Sequence, residues 1–130
     1  MAKYLGIDYG LKRIGLAVGD SDAKLASPLK TVKTADELGD VLAKEGPFEA
    51  VVLGLPRNLD GSSTPQTIVV ERFADDVLWR KHHIEAVMQD EAATSSVAEE
   101  NLKAAGKPYD KADIDAEAAT IILQDYLDAL

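Results

Sequence analysis

Apolar and polar residues change their spacing several times along the chain, and each change marks an element. Tyr4-Leu5-Gly6-Ile7-Asp8 is an apolar run closed by a single carboxylate, and Ile14 to Gly19 is a second apolar run. The short connection Tyr9-Gly10-Leu11-Lys12 makes them an antiparallel hairpin, with strands over roughly 3–8 and 13–19. Pro28 to Lys33 reads as a third strand, Pro28 suiting an edge or a first position. Thr34 and Glu37 form a capping box for a helix whose apolar stripe is Leu38, Val41 and Leu42, and Gly46-Pro47 stops it. Ala50-Val51-Val52-Leu53-Gly54 is a continuous apolar run, typical of a strand buried on both faces.

A long loop, Leu55 to Ser63, follows, and Thr64-Pro65 opens the next helix with Pro at its first position. Val69, Val70, Phe73, Ala74, Val77 and Leu78 recur there at helical spacing. Arg80, Lys81, His82 and His83 close that helix and complement its dipole, so the histidine pair reads as structural. Ile84 to Met88 is a short strand leading to Gln89-Asp90-Glu91. Ser96 and Glu99 form a second capping box for a helix that ends near Gly106-Lys107-Pro108. The last helix carries Ala119, Ile122, Leu123, Tyr126, Leu127 and Leu130 on one face. This order predicts a single α/β domain over 1–130. Its mixed five-stranded sheet would be a three-stranded antiparallel meander plus two parallel crossover strands, flanked by helices.

Composition narrows the chemistry. The absence of cysteine excludes thiolate metal sites and disulfides, and it suits a reducing compartment. With only two histidines, any metal would sit on carboxylates, which favours Mg²⁺ or Mn²⁺. A net charge of −9 argues against a broad nucleic-acid-binding surface. A local site survives that objection, because a divalent ion on a carboxylate cluster can itself meet a phosphate. No apolar run approaches the length of a membrane span and the first residues lack a signal-peptide layout. The expectation is a cytoplasmic protein without a membrane partner.

Three acidic positions stand apart from a solvated surface. Asp8 ends an inner strand, where Asp is disfavoured unless it forms a turn or does chemistry. Asp90 and Glu91 lie just past another strand end, where open α/β sheets place their sites. Asp115 comes four residues before Ala119 and shares the apolar stripe of the last helix, so it needs a cationic partner or a metal. Three carboxylates from distant segments make a hard-metal constellation. Its usual chemistry is two-metal phosphodiester hydrolysis, one ion activating water and the other stabilising the leaving oxygen.

The motif G-I-D-Y-G-L-K-R-I-G-L-A-V at 6–18 resembles the opening of the YqgF/RuvX family. So do V-V-L-G-L-P-R-N-L-D-G at 51–61, D-E at 90–91 and D-I-D-A-E-A-A-T-I-I-L-Q-D-Y-L at 113–127, in the family's order and at about its length. Those proteins are compact, RNase H-like, and described as Holliday-junction resolvases and as nucleases that mature the 5′ end of pre-16S ribosomal RNA. The resemblance implies an RNase H-like fold with Asp8, Glu91 and Asp115 as catalytic, metal-binding acids and Asp90 as a further candidate ligand. It also implies substrate contacts from Lys12, Arg13, Arg57 and Asn58, although a loop arginine such as Arg57 is as often simply solvated. One position departs from the pattern. The family has Arg after the D-E pair, and here Ala92 removes a bidentate donor.

The partner expected is nucleic acid, RNA ahead of branched DNA. Symmetric cutting of a junction needs two active sites and the chain shows no obvious dimer surface, leaving a monomer or a homodimer. A non-catalytic RNA-binding factor in ribosome assembly, associated with ribosomal particles, is the alternative that the charge and Ala92 favour.

Overall fold

Period-two alternation puts Leu5, Ile7 and Tyr9 on one face of the first strand and Tyr4, Gly6 and Asp8 on the other. The computed structural model describes residues 2–91 and 94–130, so Ala92 lies outside the described residues. Its strands are β1 (Lys3–Tyr9), β2 (Ile14–Asp20), β3 (Ser27–Val32), β4 (Ala50–Pro56) and β5 (Val87–Glu91). They form one sheet in the order β3-β2-β1-β4-β5. β1, β2 and β3 pair antiparallel, and β4 and β5 extend the sheet in parallel. This is the mixed sheet expected from the sequence, with Pro28 on the edge strand.

Each face of the sheet carries its own core. On one face, Leu5, Ile7, Leu16 and Leu53 pack against α1 (Ala35–Glu45), α2 (Pro65–Phe73) and a π-helical extension, Ala74–Trp79, through Leu38, Val70, Phe73 and Leu78. Full burial of each such side chain contributes about 1.5–3 kcal/mol. Tyr9 stacks on Phe73 with ring centroids 4.0 Å apart. On the other face, Tyr4, Ala17 and Val52 meet Ala119, Ile122, Leu123 and Leu127 of α4 (Lys111–Asp128). α3 (Thr94–Ala105) packs on α4.

The α4 face is lined by small residues. A Cβ on Gly6 would lie 2.9 Å from the Ala119 carbonyl oxygen, and one on Gly15 would lie 2.0 Å from that of Asp115. The helix backbone therefore rests directly on β1 and β2. Side-chain bonds fix it further: the Thr31 hydroxyl donates to the Ala112 carbonyl at 2.6 Å, and Gln124 bonds the Lys24 carbonyl and the Ala26 N–H.

Four local expectations are corrected. The fifth strand is Val87–Glu91, not 84–88, because the Ile84 N–H closes the preceding helix on the Leu78 carbonyl. Asp90 and Glu91 are thus the last two residues of the strand rather than residues beyond it. The second helix is α-helical only to Phe73. It then widens, the Arg80 N–H bonding the Asp75 carbonyl five residues back. α3 begins at Thr94, so Ser96 sits inside its first turn and makes no capping box. The box on α4, from Asp110 to Asp113, was not anticipated. His82 packs against Gly39 of α1, in the structural role expected.

A methyl group at position 15 has no space unless α4 lifts. Gly15→Ala should cost at least about 1–3 kcal/mol in urea unfolding, and an unchanged midpoint would show that the helix yields freely.

Candidate active site

The sheet register decides which acids can meet. Asp8 pairs with Gly15, and Asp115 of α4 lies on Gly15, so these two carboxylates are neighbours. Pro56 pairs with Glu91 in parallel, which puts Glu91 on the same face as Val52, Gly54 and Pro56, the face that α4 covers. Asp90, one residue earlier, points to the opposite face. The result is a cavity of about 340 Å³ lined by Asp8, Glu91 and Asp115 together with Tyr9, Gly10, Pro56, Gln66, Thr94 and Ser95.

The three acids have different surroundings. Asp8 makes no side-chain hydrogen bond among the described residues. Burial, and secondarily the charge of Asp115, raise its pKa from 3.8 to about 6. Burial is also the first cause that raises Glu91, to about 7; the Asp125 and Asp8 carboxyls add to it, and a hydrogen bond from Thr94 opposes it. The Thr94 hydroxyl donates to Glu91 Oε2 at 3.0 Å, while Oε1 is buried with no partner among the described residues. Asp115 is joined to Arg13, Nε to Oδ2 at 2.6 Å.

The remaining sequence candidates take other places. Asp90 has a side chain 71% exposed and accepts from Arg57 Nε at 3.0 Å, so neither lines the cavity. Arg57 also reaches the Gly61 carbonyl and the Ser63 hydroxyl, and the Asn58 amide bonds Ser62. Both are tied into their own loop. Lys12 is exposed in the β1–β2 turn, two residues past the cavity-lining Gly10, and has no ion-pair partner among the described residues. Three participants escaped sequence reasoning: Thr94 and Gln66 in the lining, and Asp125 against Glu91. Thr94, three residues after Glu91 at a helix start, carried a local signal. Asp125 carried none, since it lies off the apolar stripe of its helix.

A hard divalent cation suits this donor set, which is all carboxylate, electron-rich and includes an orphaned Glu91 oxygen. As oriented, no three acidic or histidine side chains among the described residues converge closely enough to hold an ion. No helix of the described residues is long and apolar enough to cross a membrane.

Comparison with known proteins covers nearly the whole chain. Residues 2–129 match the family model described as RuvX, Holliday junction resolvase. A Chloroflexus aurantiacus protein named "Putative pre-16S rRNA nuclease" is 43% identical, over 96% of this chain and 86% of its own. A protein of the same name from Sulfurihydrogenibium sp. is 37% identical, over 100% of this chain and 92% of its own. Among solved structures, Thermus thermophilus RuvC in complex with a Holliday junction aligns over 99% of this chain and 95% of its own, with TM-score 0.59 and 20% identity. The Fowlpox virus resolvase aligns over 98% and 97%, with TM-score 0.55 and 10% identity. These two likenesses show the RNase H-like fold.

Raised carboxyl pKa values mean that the folded state holds protons which the unfolded chain releases. The stability this provides is complete below the unfolded values near 4 and is lost as pH rises through about 6–7. Asp8 alone accounts for roughly 2–3 kcal/mol of that loss. Urea midpoints in EDTA at pH 4.5 and 7.5 should show Asp8→Asn gaining on wild type as pH rises. Parallel pH slopes would mean that Asp8 titrates normally.

Proposed function

This chain belongs to the RuvX family, and we propose that it is a metal-dependent nuclease hydrolysing phosphodiester bonds at the cavity shared by Asp8, Glu91 and Asp115. The observation that carries the reading is the meeting of these three acids, from β1, β5 and α4, in one cavity. Asp8, Glu91 and Asp115 would hold Mg²⁺ or Mn²⁺, which when bound supplies an activated water and stabilises charge on the departing oxygen. The chain's own part is positioning. Asp8 is fixed on a central strand, the Thr94 hydroxyl orients one oxygen of Glu91, and the contact of α4 with Gly15 sets the place of Asp115.

The substrate is RNA, in the maturation of the 5′ end of pre-16S ribosomal RNA, as the names of the relatives at 37–43% identity suggest. That role places the protein in the cytoplasm, among ribosomal particles. A four-way DNA junction is the second substrate, favoured by the family description. Lys12 is the cation available to a phosphate without rearrangement. Arg13 and Arg57 are each already paired through Nε, with Asp115 and Asp90.

The test is cleavage of a labelled pre-16S-like RNA and a four-way DNA junction, each in Mg²⁺, Mn²⁺ or EDTA. Wild type should cut the RNA only with a divalent ion, and Asp8→Asn should lower the rate at least about a hundredfold. Full activity in that variant overturns the mechanism, and cutting of the junction alone reassigns the substrate.

A further inference from the structure

Each of the three acids has a different relation to positive charge. Among the described residues Asp8 and Glu91 make no ion pair, whereas Asp115 already has Arg13. The Arg13–Asp115 bond is short and charge-assisted, between side chains 30% and 19% exposed, so it is stronger than an open surface pair. It is also a single contact. Only Nε of the five guanidinium donors reaches Asp115, and the side chain of Asp115 has no other hydrogen bond among the described residues.

The backbone constrains what Asp115 can do. Its carbonyl is pressed on Gly15, so the residue itself stays where it is and only its side-chain torsions are free. Gly15 pairs with Asp8, and Arg13, just before β2 begins, reaches Asp115 from the adjoining turn. The carboxylate therefore has two destinations, Arg13 on one side and Asp8 on the other. It is bonded to Arg13, and the three acids share a cavity without converging.

We propose that Arg13 is a positioning residue, an internal counter-ion that holds Asp115 and would have to release it for Asp115 to join Asp8 and Glu91 in holding a divalent cation. This rests on the metal-site reading above. It assigns Arg13 a part in metal loading, distinct from the phosphate contact that its neighbourhood suggested. With Arg13 engaged, the three carboxylates and the guanidinium sum to a charge of −2 when the acids are ionised. Releasing Arg13 leaves −3 facing the ion, at the cost of the broken pair. Metal affinity is thereby held below what the acids alone would give.

Mn²⁺ binding to the full chain, measured without nucleic acid by titration calorimetry and by the resonance signal of free Mn²⁺, tests this. Arg13→Gln should bind Mn²⁺ about 3–10-fold more tightly than wild type. Arg13→Lys, which keeps the charge, should stay near wild type. In an Asp115→Asn background the Arg13→Gln gain should vanish, because the restrained carboxylate is gone. Unchanged or weaker binding by Arg13→Gln overturns the counter-ion role while leaving the metal site standing. The same gain with and without Asp115 also overturns it, since Arg13 would then act only through net charge. Absence of Mn²⁺ binding by folded wild type and folded Arg13→Gln alike overturns the metal site itself, and the counter-ion role with it. Melting in EDTA separates these outcomes from failure to fold.

Discussion

The contact between α4 and a sheet face stripped of side chains is the constraint on which the rest depends. Gly6 and Gly15 let the helix backbone lie on β1 and β2 at distances that a single methyl group would forbid. That approach brings a helical acid, Asp115, beside an acid on the central strand, Asp8. It also removes much of the water that would keep Asp8 ionised at ordinary pH. The core beneath α4 is small, and the larger core on the opposite face bears most of the apolar burial. The division is consistent with function. One face supplies stability through Leu and Ile packing, and the other accepts electrostatic strain in order to place charges.

Positive charge near the site is almost entirely engaged within the protein. Arg13 bonds Asp115, Arg57 bonds Asp90, and Lys12 in the β1–β2 turn has no ion pair among the described residues. A protein of net charge −9 has little long-range attraction for a polyanion. Substrate phosphate must therefore be met at close range, by cations at the cavity rather than by a basic surface. A divalent ion at the acids would answer that need and relieve their mutual repulsion, and would link substrate recognition to the occupancy of the same site.

Much of this was legible in the chain. The short turn after Asp8 fixed the hairpin, and the unbroken apolar run Val51–Leu53 marked a strand covered on both faces, as β4 is. The four-residue step from Asp115 to Ala119 correctly turned an acid toward the sheet. Register was less legible, because the apolar residues at Ile84 and Ala86 read as strand while Ile84 in fact closes the preceding helix. Nor could the sequence say that Asp90 and Glu91 diverge. That follows only once β5 extends to its last acid and alternation sends the two side chains to opposite faces. The ion pair between Arg13 and Asp115, 102 residues apart, leaves no local trace at all. Long-range pairing of charges is set by how helices dock, and docking depended here on glycines whose meaning appears only when a neighbour is known.

The unmet groups of the cavity are best understood together. A buried, partnerless Glu91 oxygen and an Asp8 with its pKa raised to about 6 are both costly in isolation. Neither is required by the fold, since an apolar or amide side chain could occupy either place without leaving a charge unpaired. Their cost would also be the source of an affinity for a cation. A cation that restores ionisation to Asp8 and Glu91 recovers energy lost in folding, and binding to the native state alone raises stability by mass action. Arg13 moderates this balance by neutralising one acid of three. The site is left stable enough to fold before loading, and still unsatisfied enough to favour an ion.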